Sequence, residues 1–458
     1  MNTCIETLRR FYGGRYYPIL VACLVLLGHC TAQEVLFGAL LIVSLIPALL
    51  ICRDLRFAIL PFLCTIFIVS VQDYTPSNPG YAERYLNAPF LIAATVGAAI
   101  LLAAIVCFIV RNRKIANRFP RRGMFWSMAF LCAVFALNGS LSDGYTLKNL
   151  FYVLLFAVSL ILVYALFVLF LRFDETLFDY FMYCLVVAGL LIVAELIHAY
   201  FTTVQFVNGE IVKGSVVLGW GVWTNIGGML SFLMPACFYF ARSHKWGWIG
   251  YGLGFLEYLG IVLSQSRGAL LVGSLILLLC LLYLCLGGSN RKQNRILTLF
   301  VAIVGVLGVL LLSDKLFSLV RNFIEMGFSD NGRFDMWATG IKKFLQTPIF
   351  GAGFYDSYLT EEWDMGPFPY LYHCTVVQVL GSTGIVGTLA YAYHRFDTVR
   401  LAVCKPNYRK TILAICILAL LLFSLTDVLL FKVYPTIYYS LMLLFMERSE
   451  ESTEPLTL

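Results

Sequence analysis

Residues 149–171 read NLFYVLLFAVSLILVYALFVLFL and contain no charged side chain. A transmembrane helix needs about 20 consecutive, predominantly apolar residues, and this stretch supplies more than that. Comparable apolar stretches precede and follow it, at 88–110, 178–201 and 268–286. The pattern predicts an all-α membrane protein.

The composition agrees with this reading. Of the 458 residues, 60% are hydrophobic and only 13% are charged, whereas soluble domains are close to a quarter charged. This balance excludes a disordered chain, a coiled coil, a disulfide scaffold and a soluble enzyme of conventional type. We expect one integral membrane domain over residues 1–458.

Apolar stretches recur almost from end to end. Because several are short and two neighbours could form a re-entrant pair, we expect a polytopic protein with about 12–14 transmembrane helices. The candidate spans are 17–31, 35–51, 57–72, 88–110, 124–138, 149–171, 178–201, 222–241, 247–264, 268–286, 296–313, 375–393, 411–428 and 434–446.

Basic residues predict the orientation of these spans. With the N-terminus in the cytoplasm, 23 of the 33 lysines and arginines lie inside and 10 lie outside. This is the bias that short cytoplasmic loops show in membrane proteins. The net charge of +7 therefore does not indicate nucleic-acid binding, because the bases are dispersed in short segments between spans.

The two sides of the membrane differ in this topology. Cytoplasmic loops are short and basic, whereas the outer side holds shorter loops such as 202–221 and one long loop, 314–374. Apolar residues recur at helical spacing within 332–346, which predicts an amphipathic helix lying on the outer membrane surface. A long loop in a compact protein is more often functional than idle, so any chemistry is expected to be extracytoplasmic.

Arg267 is the first candidate binding residue. It lies between two spans at the outer boundary, where an arginine either extends toward the headgroups or binds an anion. Ser266 beside it adds a hydrogen-bond donor.

Arg333 and His373 lie on the long loop. Arg333 opens the predicted surface helix; it is either solvated or a second contact to an anionic group, for which a planar guanidinium is well suited. His373 ends the loop, next to Tyr372. An interfacial histidine often only satisfies a hydrogen bond, but it can also act as a general base.

Other polar residues allow two interpretations each. Asn225 enters a span from the outer side, either within an aromatic belt or as a contact to a sugar. Glu195 and His198 share a helical face, and Glu257 lies within a span. These three indicate either internal polar contacts or a proton-coupled transport path. The cysteines lie mostly within apolar stretches, and no metal-binding spacing or carboxylate-rich cluster is present. We expect no metal and no cofactor.

Three stretches taken together resemble the O-antigen ligase and polymerase family of bacterial envelope glycosyltransferases. They are the glycine–aromatic run and small-residue span at 219–235, the Ser-Arg-Gly-Ala signature within 264–270, and the long loop with its Gly332-Arg333, Trp337, 348–353, His373 and 381–387. Order and spacing carry the resemblance over roughly 215–395.

The resemblance implies a function at the bacterial inner membrane. Members move a glycan from undecaprenyl diphosphate to an acceptor hydroxyl on the extracytoplasmic face. By matching motif, Arg267 and Arg333 would bind the diphosphate, and His373 would deprotonate the acceptor. Asn225, Ser266 and Tyr372 are weaker candidates for substrate contacts. The acceptor would be a glycan, a lipid or a protein, which leaves ligase and polymerase equally possible.

A transporter or flippase for lipid-linked oligosaccharides is the alternative. Many transporters contain internal repeats and distribute polar residues through their spans, whereas this sequence shows no repeat and concentrates its polar candidates on one side. A purely structural membrane partner would leave the long loop and its arginines unexplained. The enzyme hypothesis is therefore favoured.

Overall fold

The computed structural model describes residues 2–70, 87–117, 119, 123–141, 147–311, 332–354 and 372–449. Within these ranges the fold is all-α, as the sequence predicts. The helices are α1 Asn2–Gly13, α2 Tyr16–Thr31, α3 Glu34–Ile51, α4 Ile59–Cys64, α5 Ala88–Asn112, α6 Met124–Leu141, α7 Leu147–Ala157, α8 Val163–Phe170, α9 Glu175–Thr202, α10 Trp223–Leu233, α11 Pro235–Ser243, α12 Gly247–Leu263, α13 Arg267–Leu286, α14 Arg291–Leu311, α15 Arg333–Gln346, α16 Thr375–Val403, α17 Tyr408–Phe423 and α18 Val433–Arg448.

The only strands among the described residues lie between α9 and α10, in the segment predicted as a loop. They form two antiparallel pairs of two residues each: β1 Phe206–Val207 with β2 Glu210–Ile211, and β3 Val217–Leu218 with β4 Gly221–Val222. The second hairpin leads directly into α10 and sets where that helix begins.

Seven helical spans of the described chain are long and apolar enough to cross a membrane, and the bent pair α1–α2 makes an eighth. Three further apolar helices are shorter: Leu55–Ile68, Met124–Asn138 and Gly247–Leu263. The predicted number of 12–14 is higher because hydropathy counts short apolar segments that are helices of fewer than 18 residues. The prediction of a polytopic membrane protein is confirmed.

Burial separates central from peripheral helices. In α9, 72% of the most apolar window is buried inside the protein, against 11% in α5. α18 is also central, with residues 438–446 all buried. Because membrane-facing helices need no polar or protein partners on their outer surface, α5 can remain exposed to lipid while α9 and α18 form the packed core.

The long predicted loop at 314–374 is only partly described, because 314–331 and 355–371 lie outside the described residues. The predicted helix at 332–346 is present as α15. Its apolar Phe334, Ile341 and Leu345 are exposed, as expected for a helix whose apolar side faces something other than this protein.

α16 is interrupted where the segment that follows α15 meets it. Gly384 has a positive φ of 60° within the helix, a conformation that glycine adopts without strain. At this break Ile385 donates its N–H to the carbonyl of Pro348 at 2.8 Å, and Ala352 donates to Gly381 at 3.0 Å. The interruption thus binds the chain of 348–353 to α16 and fixes the approach of α15.

Candidate active site

His373 lies immediately before α16, and its backbone and ring are both constrained. Its φ is 50°, a left-handed conformation that is uncommon for residues other than glycine. The side chain is 39% exposed, while its Nδ1 atom is buried and lies 3.4 Å from Oδ1 of Asp427. One edge of the imidazole therefore faces a carboxylate inside the protein, and part of the ring remains accessible.

The neighbours of His373 hold this geometry. Tyr372 donates its backbone N–H to Oε1 of Gln378 at 2.9 Å, and Gln378 in turn donates to Ser382 at 2.7 Å. Thr375 donates its N–H to the carbonyl of Ser424 at 2.8 Å. Because Ser424 follows α17, this bond fastens the start of α16 beside the loop that carries Asp427.

Asp427 is a buried carboxylate that is held ionised. Its side chain is 2% exposed; Oδ1 accepts the N–H of Val428 at 2.7 Å, and Oδ2 lies 3.8 Å from Nζ of Lys432. Burial by itself would raise the pKa of Asp427, but Lys432, His373 and the Val428 N–H together hold that pKa well below its usual range. An ionised Asp427 favours a proton on Nδ1 of His373, which leaves Nε2 free to accept one.

Lys432 extends this chain of contacts to α10. Its Nζ donates a hydrogen bond to Oδ1 of Asn225, and Asn225 is buried in the first turn of α10. The sequence singled out Asn225 as a possible sugar contact. In the structure its amide oxygen accepts from Lys432, so the residue connects α10 to the Asp427 loop.

Three cations from three segments form a second group, which we call the cation cluster: Lys213, Arg267 and Arg333. Burial lowers the pKa of Lys213, and the nearby guanidinium groups of Arg267 and Arg333 lower it further. The Lys213 ammonium also lies 5.5 Å from the ring centroid of Trp223, the first residue of α10. Positive charges that repel one another in this way are suited to a multiply charged anion.

Close packing joins the cation cluster to the His373–Asp427 pair. A Cβ added at Gly268, next to Arg267, would lie 3.0 Å from the hydroxyl oxygen of Thr426, the neighbour of Asp427. A Cβ on Gly227 of α10 would lie 2.5 Å from the hydroxyl oxygen of Ser264. Small residues therefore let α10, the start of α13 and the Asp427 loop come together at one place.

Ser266 and Tyr372 are both buried at this place. Ser266 caps α13, its hydroxyl accepting the N–H of Ala269 at 3.3 Å. The Tyr372 ring packs against Gly340 of α15 and Gly381 of α16. The structure gives each residue a local packing or capping partner, in addition to the weaker substrate-contact role that the sequence suggests.

The N-termini of three helices contribute to the electrostatics. Asn225 lies in the first turn of α10, Arg267 begins α13 and Arg333 begins α15. A helix N-terminus carries a partial positive charge and unsatisfied N–H groups, and it attracts anions. In the described residues no group of three or more His, Cys, Asp or Glu could hold a metal ion.

Comparison with known proteins gives one family match that overlaps this site. Residues 252–392 match the family model described as O-antigen ligase. Over this segment the chain is similar to the O-antigen ligase family. The matched segment includes Arg267, Arg333 and His373, whereas Asp427 and Lys432 follow it. No curated protein matches the chain.

The family match supports a general class of activity. Members of this family are glycosyltransferase-like ligases or polymerases of the bacterial inner membrane, and the match supports an enzyme of this class. This agrees with the resemblance carried by the sequence and favours it over the transporter alternative.

Sequence reasoning missed Asp427, Lys432 and Lys213. The first two lie around the end of a predicted span at 411–428, but α17 already ends at Phe423. Charged residues so close to an apolar stretch are usually paired or functional, and this signal could have identified Asp427 and Lys432. Lys213 carried no comparable signal, because it lies in an ordinary polar loop.

The other buried acids belong elsewhere in the molecule. Glu195 accepts the indole N–H of Trp220 at 2.7 Å, and its Oε2 lies 3.9 Å from Nδ1 of His29. Glu257 accepts the thiol of Cys237 at 3.2 Å. Both acids therefore make internal contacts with neighbouring segments of the protein.

Proposed function

We propose that this protein transfers a glycan from undecaprenyl diphosphate to an acceptor hydroxyl, with His373 as the general base. The observation that carries the proposal is the pairing of a partly exposed His373 with a buried, ionised Asp427 beside the cation cluster. The family match supports this class of reaction.

The cation cluster supplies the diphosphate site. Arg267 and Arg333 would contact the diphosphate oxygens with their planar guanidinium groups, and Lys213 would add a third positive charge. As the bond from the anomeric carbon to the phosphate oxygen breaks, its electron pair leaves with the diphosphate. Fixed cations stabilise that growing negative charge.

His373 acts on the acceptor. Nε2 takes the hydroxyl proton while the acceptor oxygen forms its bond to the anomeric carbon, and the resulting imidazolium is stabilised by Asp427. Attack opposite the leaving diphosphate would invert the anomeric configuration. Charge stabilisation by three cations gives this mechanism no need for a metal ion.

We place the reaction on the extracytoplasmic face. The positive-inside distribution supports this side, because 23 of 33 lysines and arginines lie cytoplasmic in the topology with the N-terminus inside. The donor is then a lipid-linked glycan in the outer leaflet, and the acceptor is a glycan, a lipid or a protein.

The test uses the full-length protein in nanodiscs with undecaprenyl diphosphate-linked repeat units from the source strain. A ladder of longer lipid-linked glycans would identify a polymerase. If none forms, envelope acceptor fractions are added, and conversion of the donor would identify a ligase. Donor that stays unconverted in both conditions would overturn the proposal.

Three variants test the roles of the residues. His373→Ala should lower turnover by about 10²–10⁴-fold, the usual contribution of a general base, and Arg267→Ala by about 10²–10³-fold. Arg267→Lys should also be impaired, because a point charge cannot reproduce a two-point contact. Arg113→Ala serves as the control, because Arg113 is exposed and belongs to neither the cation cluster nor the His373–Asp427 pair.

A further inference from the structure

A groove opens at the end of α9 opposite the candidate active site. It has a volume of about 710 Å³ and lies among the α1–α2 corner, α9, α11 and α12. Ligand pockets are commonly about 300–1,000 Å³. The groove lies at the N-terminal end of α9, where Asp179 lines it. Near the C-terminal end of the same helix, Glu195 contacts Trp220 instead.

The lining of the groove changes from polar to apolar along α9. Positions three and four apart share one helical face, and this face presents first Thr176, Asp179 and Tyr183, then Val186, Val187 and Leu190. From Asp179 to Leu190 the helix rises about 16 Å. That is close to half of the roughly 30 Å hydrocarbon core, so the groove has the depth of one lipid leaflet.

A basic cleft adjoins the polar end of the groove. It has a volume of about 410 Å³ and shares Gly13 and Arg56 with the groove. The charged residues that line it are four arginines and two aspartates: Arg9, Arg53, Arg56, Arg172, Asp54 and Asp174.

The two aspartates already have partners inside the cleft. Asp174 forms an ion pair with Arg56, and Asp54 accepts the backbone N–H of Arg56 at 2.9 Å. Arg53 and Arg172 are exposed. The cleft therefore has an excess of positive charge, and two of the arginines that line it are accessible.

We propose that the groove and cleft together bind one anionic phospholipid, with its phosphate in the basic cleft and an acyl chain in the groove. The polar-to-apolar gradient matches an amphiphile, and the arginines complement an anionic headgroup.

This site is separate from the proposed reaction. A membrane lipid bound here would connect α2, α9 and α12 at the basic end of the molecule, and its headgroup charge would be the feature that is recognised. Inorganic phosphate would satisfy the cleft but not the groove, and a helix of a second copy would occupy the groove without needing the arginines.

The experiment measures lipid binding to the delipidated, full-length protein in detergent by native mass spectrometry. Dioleoyl phosphatidylglycerol and dioleoyl phosphatidylcholine are titrated separately, and inorganic phosphate is added as a competitor. We expect one tightly bound phosphatidylglycerol, preferred over phosphatidylcholine by about tenfold, because the choline cation offsets the phosphate charge and is repelled by the arginines. Millimolar phosphate should not displace it.

Two variants separate the headgroup from the acyl contact. Arg53→Gln with Arg172→Gln should abolish the preference for phosphatidylglycerol, whereas the matched pair Arg113→Gln with Lys114→Gln, also exposed and of equal charge change, should preserve it. Val187→Trp should fill the groove and weaken the binding of both lipids. Leu271→Trp, on the exposed face of α13, should leave the binding of both lipids unchanged.

Three results would overturn the proposal. The first is equal binding of both lipids, the second is full displacement by inorganic phosphate, and the third is a dimer whose dissociation follows Val187→Trp without any change in lipid binding. Thermal unfolding of each variant checks that it is folded. Since the readout is lipid binding, failure here leaves the proposed glycosyl transfer untouched.

Discussion

The side chain of Asp427 decides what His373 can do. A histidine at a membrane surface is ordinarily only a hydrogen-bonding group, but here a buried carboxylate lies 3.4 Å from Nδ1 and faces one edge of the ring. Lys432 and Asn225 complete the support of that carboxylate from two other elements. The proposed general base was visible in the sequence, whereas the residues that support it were not.

Asp427→Asn tests this support. Turnover should fall by roughly 10²–10⁴-fold, since the imidazolium loses its counter-charge and the wrong tautomer becomes accessible. The assay is transfer from the lipid-linked donor at saturating acceptor. A variant that keeps wild-type turnover would remove Asp427 from the mechanism.

The same residue predicts a dependence of stability on pH. The folded-state pKa of Asp427 lies below the unfolded value of about 3.9, so its carboxylate stabilises the fold at higher pH. This contribution is lost as the pH falls through the folded pKa. Thermal unfolding followed from pH 7 down to pH 2 should show wild type losing more stability than Asp427→Asn below about pH 4; parallel curves would contradict the assignment.

Removing the charge of Lys213 should have opposite effects on the stability of the protein and on its affinity for the diphosphate. Its pKa is lowered by burial and by two arginines, so its charge disfavours the folded state at every pH below its folded pKa. Lys213→Met should therefore raise the melting temperature slightly. It should also lower the affinity for a short polyprenyl diphosphate by about tenfold. Lys292→Met, an exposed lysine on α14, is the control, and undiminished diphosphate affinity would remove Lys213 from the site.

At the scale of elements, the contact between α15 and α16 positions two parts of the site. A Cβ on Gly340 of α15 would lie 2.4 Å from a methyl of Val377 and 3.2 Å from the ring of Tyr372. Gly340 thus allows α15, which begins with Arg333, to lie directly against the turn that carries His373. The predicted amphipathic helix is confirmed, but its docking depends on this one missing side chain.

Gly340→Ala should disturb that docking. We expect a loss of about 1–3 kcal/mol in stability from overpacking, together with reduced transfer because Arg333 and His373 are displaced relative to one another. Gly252→Ala is the matched control, since a Cβ there meets nothing within 4 Å and alanine favours the helix. Equal behaviour of the two variants in thermal unfolding and transfer would refute the argument.

At the scale of the whole molecule, the role of the buried acids bears on the choice between an enzyme and a transporter. Glu257 is fully buried and accepts only the thiol of Cys237 in the described structure, far along α12 from the site at the start of α13. A buried polar contact of this kind can be replaced with little loss when shape is kept. It belongs to the framework that holds α11 and α12 together.

Glu257→Gln should therefore leave transfer within about twofold of wild type, because the amide keeps the shape of the carboxyl and its buried site. The check has two parts, turnover of the lipid-linked donor in nanodiscs and movement of that donor across liposome membranes. Movement that depends on Glu257 would favour the transporter hypothesis.

Particular elements show how far sequence reasoning reached. The long apolar spans at 88–110 and 178–201 are present as α5 and α9, because an uninterrupted apolar stretch has one stable solution in a bilayer. The span predicted at 411–428 ends early, at Phe423, because hydropathy averages over the turn that contains Asp427. Arg267, Arg333 and His373 were identified individually, and their grouping followed only from the resemblance.

The sequence by itself determined that this is an all-α membrane protein with an O-antigen ligase-like segment, since the bilayer imposes apolar length and charge asymmetry directly on the chain. Only the tertiary structure decided which side chains meet. The His373–Asp427–Lys432–Asn225 chain joins residues more than 200 positions apart, and the cation cluster draws on three separate segments. Such contacts depend on how closely the glycines allow helices to pack, and a local sequence pattern does not specify the distance between two helices.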